Sequence, residues 1–299
     1  MAVMVLGSIN LDMVARIDRV PQAGETRMAE GFQTSPGGKG ANQALAAVRM
    51  GAQTHLFGMV GDDAFAMQAL RFLRQDGVDL SQIGVTKEHA TGLALIVVEH
   101  NGQNAITVVP GANSAVGADV LKSLARSLGP RDILVVQNEI PVEVTERAMI
   151  MAREVRARIL WDPAPASRNF PRSMFHATII APNQGEAEVI LGTPIPDVRA
   201  AKQAAQQLRA RGAEVGVVKL GEQGVAWATA RGVFYLPAEP VQAIDAVGAG
   251  DAFAGALAAC IDRGDSVGDA IRIANRAAAL STSRMGAQAS FAWEKEVAR

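Results

Sequence analysis

Residues 36–50 read PGGKGANQALAAVRM, a glycine-rich turn followed at once by a helix-forming stretch. Small and apolar residues recur there at the i, i+3, i+4 and i+7 spacing of a helix face, which predicts a helix over Ala41–Met50. Apolar runs of strand length lie before it at Val3–Leu6 and after it at His55–Val60. A strand, a helix and a second strand in this order predict a parallel pair joined by a right-handed crossover.

The same alternation continues along the rest of the chain. Further strands are predicted at Ile133–Gln137, Ile159–Trp161, Thr178–Ala181 and Val215–Leu220. Further helices are predicted at Phe65–Gln75, Ala118–Ser127, Val142–Val155, Val198–Arg211 and Ala252–Arg263. The pattern therefore predicts an α/β fold with a mostly parallel sheet and helices on both faces. In such sheets ligands bind beyond the carboxyl ends of the strands.

Two stretches break the alternation. Residues 13–35 are mixed in character, and residues 92–110 read as two strands joined by a hairpin turn at His100-Asn101-Gly102. Together they predict a small antiparallel β-sheet that is either a lid over the active site or a plain surface excursion. The chain is accordingly divided into an α/β domain, residues 1–12, 36–91 and 111–299, and a β-sheet lid, residues 13–35 and 92–110.

Composition excludes several classes of function. The 299-residue chain has a net charge of −1, so it has no general attraction to nucleic acid or to anionic membranes. A single cysteine excludes an internal disulfide and a multi-cysteine zinc site. No segment approaches the ~20 apolar residues of a membrane span, and the first residues lack the features of a secretory signal. We expect a cytoplasmic protein with no nucleic-acid or membrane partner.

The most informative motif is DAVGAGDAF at residues 245–253. Gly248, Ala249 and Gly250 have minimal side chains, so backbone N–H groups can approach a ligand closely where the next helix begins. Such a turn is an anion hole suited to a phosphoryl group. Asp251 beside it has two interpretations: a stabilising first-turn residue, or a general base for a hydroxyl that attacks the γ-phosphate of ATP.

Three other motifs follow predicted strands or open predicted helices. GGKGANQA offers polar groups that suit a polyhydroxyl ligand, although its glycines are equally typical of a plain turn. GSINLD, at residues 7–12, places Asn10 and Asp12 after the first strand, where they can bind sugar hydroxyls or cap a turn. In APNQGEAE, residues 181–188, Asn183 and Glu186 share a helix face and suit Mg²⁺ together with nucleotide phosphates, or simply begin a helix.

In this order, the four segments resemble the ribokinase branch of the PfkB carbohydrate-kinase family. The resemblance runs from Gly7 to about Ser290 and includes both family signatures, GGKGANQA and DAVGAGDAF. It implies a Rossmann-like α/β domain with a β-sheet lid, and homodimerisation through that lid. It also implies ATP-dependent conversion of D-ribose to D-ribose 5-phosphate, with Mg²⁺ and a monovalent activator, K⁺.

The resemblance assigns roles by motif position. Asp251 resembles the catalytic base, and Gly248, Ala249 and Gly250 resemble the anion hole. The residues that resemble sugar ligands are Asn10, Asp12, Gly38, Lys39, Asn42, Glu139 and Asp251. Those that resemble nucleotide ligands are Asn183, Lys219, Gly221, Gly224, Gly250 and Asn275, with Asn183 and Glu186 near Mg²⁺. The K⁺ positions are Asp245, Val247, Ser281, Arg284, Gly286 and Ser290, several of them through backbone carbonyls.

Two positions depart from the family pattern. Ala246 stands where threonine is usual, and Lys219 stands where threonine or serine is frequent. Alternative functions are a kinase of this family for another sugar, a sugar acid or a nucleoside, and a non-catalytic sugar-binding regulator. A dinucleotide-dependent oxidoreductase is disfavoured, because G-x-G-x-x-G does not follow the first strand.

Overall fold

The fold is taken from a computed structural model that describes residues 1–100 and 103–298. Its strands are β1 (Val3–Leu6), β2 (Asn10–Ile17), β3 (Gly31–Gly37), β4 (Thr54–Gly61), β5 (Ile83–Thr86), β6 (Gly92–Glu99), β7 (Asn104–Val109), β8 (Ile133–Val136), β9 (Arg158–Trp161), β10 (Ile179–Ile180), β11 (Val215–Lys219), β12 (Val225–Thr229) and β13 (Gly232–Leu236). Its α-helices are α1 (Lys39–Arg49), α2 (Ala64–Ala69), α3 (Arg71–Asp76), α4 (Ala118–Ser127), α5 (Val142–Glu154), α6 (Gln184–Leu191), α7 (Val198–Ala210), α8 (Ala249–Arg263), α9 (Val267–Thr282) and α10 (Glu294–Val297).

A large sheet forms the centre of the fold. Its strand order is β13-β12-β11-β10-β9-β8-β1-β4-β5. The pairs from β11 to β5 are parallel, and β12 and β13 add an antiparallel edge. The predicted α/β fold with a mostly parallel sheet is thus confirmed.

Helices cover both faces of this sheet, and each face has its own apolar core. On β1, Val3 and Val5 belong to the core that contains α1, α8 and α9. Met4 and Leu6 point the other way, into the core that contains α4, α5, α6 and α7. Because successive strand residues alternate between faces, a run buried on both sides reads as continuously apolar.

A second, small sheet of order β3-β2-β6-β7 stands apart from the large one. The β2–β3 and β6–β7 pairs are antiparallel, as a hairpin-built sheet requires. The central pair, β2–β6, is parallel, because these two strands are distant in sequence and enter the sheet from the same end. The predicted hairpin turn falls largely on Asn101 and Gly102, which lie outside the described residues.

Several boundaries differ from the sequence prediction. α1 begins at Lys39 rather than Ala41, and α8 begins at Ala249 rather than Ala252, so both glycine-rich turns supply the first helical residues. The single helix predicted at Phe65–Gln75 is two short helices that meet at Leu70, whose ψ of 2° leaves the helical range. None of the helices in the described ranges has the length and apolar composition of a membrane span.

The division of the chain into domains stays a prediction. β2 begins at Asn10 and β3 ends at Gly37, so the small sheet extends beyond residues 13–35 at both ends. Asn10 and Asp12 therefore lie on a strand of the small sheet, next to the large sheet rather than within it. This position lets one strand carry polar groups from the lid to the candidate site.

Candidate active site

The first turns of α1 and α8 lie together because the two helices pack very closely. A Cβ at Gly255 would lie 2.5 Å from both the Ala46 Cβ and the Gln43 carbonyl oxygen, so only glycine permits this approach. The contact brings Asn42 and Gln43 of α1 against Asp251 in the first turn of α8. The glycine is thus a sequence feature that assembles the site.

Asp251 is buried and accepts a hydrogen bond on each carboxylate oxygen. Asn42 Nδ2 donates to one oxygen at 2.8 Å, and Gln43 Nε2 donates to the other at 3.0 Å. Burial raises the pKa of Asp251 above the ordinary aspartate value, whereas the nearby Lys39 and these two hydrogen bonds lower it. Each oxygen keeps a second lone pair, so the carboxylate can still accept a proton.

Gly248 is the N-cap of α8 and has φ of 80°. Ala249, Gly250 and Asp251 then form the first turn, whose N–H groups have no partner within the helix. The Ala249 N–H donates to the Ala246 carbonyl at 3.2 Å, so the N–H groups of Gly250 and Asp251, with the positive end of the helix dipole, are the candidates for binding an anion at the predicted position. The structure therefore places Asp251 and the predicted anion hole in one helical turn.

Gly38 shapes the start of α1. Its φ is 88°, and a Cβ there would lie 2.7 Å from the Asn10 backbone nitrogen, so a larger residue is excluded by both conformation and space. Lys39 follows as the first helical residue, and its backbone N–H donates to Glu139 Oε2 at 3.0 Å. Burial opposes the positive charge of Lys39, but the carboxylates of Asp251, Asp162, Glu139 and Glu186 outweigh it and raise its pKa.

The predicted sugar ligands surround this point. Glu139 also accepts a hydrogen bond from Ser8 Oγ at 2.5 Å, which ties it to the end of β1. Asn10 Oδ1 accepts from Asn113 Nδ2 at 2.7 Å. Burial raises the pKa of Asp12 to about 7, and the charges of Glu139 and Asp251 add to the rise. The Asp12 carboxylate lies beside the start of α1, because a Cβ at Gly37 would be only 2.3 Å from Asp12 Oδ1.

A cavity of about 820 Å³ opens beside the anion hole. Its lining includes these predicted site residues: Lys39, Asn183, Glu186, Lys219, Gly221, Gly224, Gly248, Ala249, Gly250, Asp251 and Asn275. Every predicted nucleotide residue is in this set, whereas of the predicted sugar ligands only Lys39 and Asp251 reach it. The two groups of residues therefore meet at Asp251 and Lys39.

Lys219 ends β11 and lies close to the anion hole. A Cβ at Gly250 would be 3.4 Å from the Lys219 Nζ. The same Nζ donates to Asp162 Oδ1 at 2.9 Å, and Asp162 is the residue directly after β9. Since both side chains line the cavity, this ion pair presents a cation to any phosphate bound there.

Asn183 and Glu186 form the capping box of α6. Asn183 Oδ1 accepts from the Glu186 backbone N–H at 2.9 Å, and Glu186 Oε2 accepts from the Asn183 backbone N–H at 2.7 Å. Burial raises the pKa of Glu186, with the Asp162 charge adding to the rise and Lys219 opposing it. The structural role does not exclude the predicted one, because each side chain keeps a polar atom and lines the cavity.

Asn275, on α9, also lines the cavity. Its Nδ2 donates to the Pro237 carbonyl at 3.0 Å, which holds the segment after β13 against α9. Gly221 and Gly224 bound the turn after β11, where both have positive φ. All three residues line the cavity.

The predicted K⁺ residues lie on two neighbouring loops. Asp245 accepts from the Val247 N–H at 3.0 Å and from the Gly286 N–H at 2.9 Å. Backbone N–H groups of Ile244 and Asp245 donate to the Thr282 carbonyl, which draws the loops together near Ser281. Ser290 Oγ donates to the Ala287 carbonyl. The Arg284 side chain pairs with Glu296 instead, so only its backbone can contribute to a cation site.

Four residues at the site were missing from the sequence prediction: Ser8, Gln43, Asn113 and Asp162. Gln43 lies inside the GGKGANQA motif, and Asp162 directly follows a predicted strand, so both carried a usable signal. Ser8 lies in the GSINLD motif, two residues before the predicted ligand Asn10. Asn113 carried no signal, because its contact with Asn10 joins residues 103 positions apart.

The fold and the site define a class of protein: a phosphotransferase that acts on a sugar hydroxyl, with an anion hole and a buried carboxylate in one helical turn. Residues 2–295 match the family described as pfkB family carbohydrate kinases. The match covers far more than half of the chain. This protein belongs to that family.

Similar proteins of known function support the family assignment. The chain is 34% identical to the ribokinase of Bacillus subtilis, over 98% of this chain and 97% of the relative. It is 35% identical to the ribokinase of Mus musculus, over 99% of this chain and 93% of the relative. Among solved structures, Arabidopsis thaliana ribokinase complexed with ribose and ATP superimposes with a TM-score of 0.91. The identity there is 29%, with 99% of this chain and 97% of that chain covered.

Proposed function

We propose that this protein transfers the γ-phosphoryl group of ATP to the primary hydroxyl of D-ribose, giving D-ribose 5-phosphate and ADP. One observation carries the proposal: a buried carboxylate, Asp251, lies in the helical turn that forms the anion hole, at the end of a nucleotide-sized cavity. Ribokinases among the full-length relatives supply the substrate pair. This arrangement needs no covalent intermediate, because positioning and charge stabilisation are sufficient for phosphoryl transfer.

Asp251 acts as the general base. It accepts the proton of the attacking hydroxyl, while the N–H groups around Gly248, Ala249 and Gly250 stabilise the charge that develops on the phosphoryl oxygens. The raised pKa makes Asp251 a better proton acceptor than an exposed aspartate, provided that it is ionised at working pH. Lys39 favours that ionised form by its positive charge.

The sugar binds between β2 and the start of α1. Carboxylates and amides that accept from or donate to hydroxyl groups surround this space: Asn10, Asp12, Lys39, Asn42 and Glu139. Asn42 uses one amide hydrogen on Asp251 and its oxygen on Gln288, which leaves the second hydrogen for substrate. Gly38 contributes through its backbone, because no side chain fits there.

The nucleotide occupies the 820 Å³ cavity. Its phosphates lie toward Lys219 and the anion hole, and its base lies toward Asn275, with Gly221 and Gly224 forming the wall between. Lys219 supplies a positive charge where relatives of this family often have a hydroxyl. The ion pair with Asp162 keeps that charge in place before the nucleotide arrives.

Mg²⁺ binds with the nucleotide phosphates, near Asn183 and Glu186. No cluster of three metal-ligating His, Cys, Asp or Glu side chains occurs among the residues that the structure describes. This fits a cation that takes most of its ligands from phosphates and water. When bound, Mg²⁺ neutralises phosphate charge, and Glu186 supplies carboxylate oxygen on the protein side.

K⁺ binds between the loops that carry Asp245 and Gly286. The Asp245 carboxylate already joins these loops by accepting from the Val247 and Gly286 N–H groups. Backbone carbonyl oxygens of Val247, Ser281, Arg284, Gly286 and Ser290 would serve as ligands. Because the loops adjoin Gly248, a cation there would hold the anion hole in shape. Ala246 replaces a threonine whose hydroxyl is not the base, so activity survives this departure.

The small sheet serves as the lid and as the dimer interface. Its register places the exposed Ile106 and Val108 on the same face as Asp12, the face directed toward the sugar. Lid closure would exclude water, which otherwise competes with ribose as the acceptor. A cytoplasmic location is part of the same proposal and rests on the need for ATP.

The test is ATP-dependent phosphorylation across a panel led by D-ribose, with 2-deoxy-D-ribose, fructose, a ketodeoxy sugar acid and nucleosides, each with and without K⁺. We expect fast turnover of ribose that K⁺ stimulates. Preferred turnover of another acceptor would keep the mechanism and overturn the choice of ribose. No turnover of any acceptor, by a protein that still binds sugar, would favour a regulator.

A further inference from the structure

Gln43 is fully buried between two carboxylates, and nothing in the proposed function uses it. Its Nε2 donates to Asp251 Oδ1 at 3.0 Å and to Asp162 Oδ2 at 2.9 Å. Its Oε1 accepts from Gln137 Nε2 at 2.6 Å. Both amide hydrogens and the amide oxygen are thus engaged inside the protein.

The orientation of this amide is fixed by its neighbours. The carboxylates of Asp162 and Asp251 can only accept while they are ionised, so the nitrogen of Gln43 must face them. Gln137 then has to donate to the Gln43 oxygen, and its own buried oxygen has no partner among the described residues. A buried oxygen without a hydrogen bond costs folding free energy. The Gln137 oxygen carries this cost, while every polar atom of the Gln43 amide is hydrogen-bonded.

Beyond Asp162, the hydrogen-bonded chain continues to the nucleotide cavity. Asp162 Oδ1 accepts from Lys219 Nζ at 2.9 Å, and Lys219 lies beside Gly250 of the anion hole. The sequence of contacts is Lys219, Asp162, Gln43, Asp251. Through the neutral amide of Gln43, this chain of hydrogen bonds connects Lys219, on the side of the nucleotide phosphates, with Asp251, on the side of the sugar.

That amide also separates two like charges. Asp162 raises the pKa of Asp251, after the larger effect of burial, and the Gln43 hydrogen bond lowers it. Two buried carboxylates that faced each other without a donor between them would favour protonation of one. A protonated Asp251 is not a base.

We propose that Gln43 is a positioning residue for phosphoryl transfer: its amide holds Asp251 and Asp162 in one frame and keeps the base aimed at the acceptor hydroxyl. This inference rests on the proposed function for its catalytic part. The hydrogen bonds of Gln43 to Asp162 and Asp251 are present in the protein without substrate. Gln43 does not reach the cavity, so it acts through Asp251 and Asp162 rather than on the substrate.

The test is Gln43→Met, which keeps the shape of the side chain and removes both donors. Its matched control is Gln288→Met, because Gln288 is equally buried but donates to Asn42 Oδ1 instead of to a carboxylate. We expect Gln43→Met to lower kcat by roughly 10–100-fold, the cost of a misplaced catalytic group. We also expect the acidic limb of its pH–rate profile to move to higher pH, and that of Gln288→Met to stay in place.

The charged groups that face Asp251 are unchanged in this experiment. They are Lys39 on α1, Asp162 after β9 and Asp12 on β2. A shift of the limb in Gln43→Met therefore reports the lost amide. If kcat stays within about threefold and the limb does not move while thermal stability falls, Gln43 is only structural and the proposal is overturned.

Two further measurements keep the proposal open to refutation. If Gln43→Met does not fold, Gln137→Met removes the donor that orients Gln43 and should move the limb in the same direction by less; an unmoved limb would contradict the proposal. Carbon-13 NMR titration of the Asp251 carboxyl in the free protein needs no substrate. A higher midpoint in Gln43→Met supports the bridge even if no sugar is phosphorylated, and an unchanged midpoint overturns it even if ribose is.

Discussion

The candidate site, formed by Asp162 after β9 and the first turn of α8, is called the catalytic edge below. This region and the small lid sheet bury opposite kinds of side chain. At the edge, polar side chains are buried: Asp162 is 1% exposed and Asp251 is 5% exposed. On the lid, apolar side chains are open to solvent: Ile106 is 55% exposed and Val108 is 49% exposed. One chain thus hides its charges in one region and presents its hydrophobic groups in the other.

This difference separates two tasks. A buried set of polar groups joined by hydrogen bonds favours a single arrangement, and it suits chemistry that depends on position. An exposed apolar face is suited to being covered, by a substrate, by closure or by a second lid. Substitutions at the edge should therefore change the chemical step or nucleotide binding, and substitutions on the lid should change sugar affinity and association.

The largest effect is expected for Asp251→Asn at the edge. The amide keeps the volume but cannot accept the hydroxyl proton, so kcat should fall by roughly 10²–10⁴-fold or more. Nucleotide affinity, measured by calorimetry with ADP, should be largely kept. Near-normal turnover would show that Asp251 is only a first-turn residue of α8.

A smaller effect is expected for Lys219→Met, also at the edge. Loss of a charge-assisted contact to phosphate should weaken nucleotide binding by about tenfold or more, whereas sugar affinity should change little. The double variant with Asp162→Asn removes the carboxylate that the single variant leaves without its cation. Lys122→Met is the control, since Lys122 is exposed and pairs with Asp119 on the surface of α4. Unchanged ADP affinity in both Lys219 variants would contradict a phosphate contact.

The lid is tested by Ile106→Glu. A buried charge at the centre of an association surface should weaken the dimer by about tenfold or more, as measured by analytical ultracentrifugation. The KM for sugar should rise while kcat changes little. Phe32→Glu is a matched control, because the register places the exposed Phe32 on the opposite face of the lid. If Phe32→Glu dissociates the protein and Ile106→Glu does not, the proposed face is wrong.

The smallest effect concerns Asp12, where lid and edge meet. Its pKa of about 7 in the folded protein exceeds the usual value of 3.8, so the folded state binds more protons between these values. Stability contributed by this group is therefore lost as pH rises through that window. Asp12→Asn should gain melting temperature relative to the parent between pH 5 and pH 8.

Asp18→Asn is the control for that titration. Arg27 lowers the pKa of the exposed Asp18, so this variant should show no gain as pH rises. A melting-temperature difference for Asp12→Asn that is flat with pH would contradict a raised pKa at Asp12. Loss of sugar affinity in the same variant would support its assignment as a ligand.

The catalytic edge was largely predictable from sequence because its residues lie in short local motifs. DAVGAGDAF carries Asp251 and its anion hole within one turn, and GGKGANQA carries Lys39 and Asn42 in another. Strands such as β1 were predictable because they are buried on both faces and read as apolar runs. Local patterns of this kind need no knowledge of distant contacts.

Long-range contacts were not predictable. Gln43 lies in the GGKGANQA motif, but its partners Asp162 and Asp251 are 119 and 208 positions away along the chain, so the local motif marks the residue without indicating its contacts. The parallel pairing of β2 with β6 could not be predicted, because the register between these strands depends on the rest of the fold. The sequence indicated that a small sheet exists, and only the structure placed Asp12 and Ile106 on one of its faces.

The proposed reaction is phosphoryl transfer to the primary hydroxyl of ribose, with the buried carboxylate of Asp251 as the base. Phosphorus–proton correlation NMR of the product formed from ribose, ATP and Mg²⁺ tests it most directly. We predict one sugar phosphate, coupled to the C5 protons, formed in equal amount with ADP. Phosphate on another hydroxyl, or ADP formed with only free phosphate, would contradict the account.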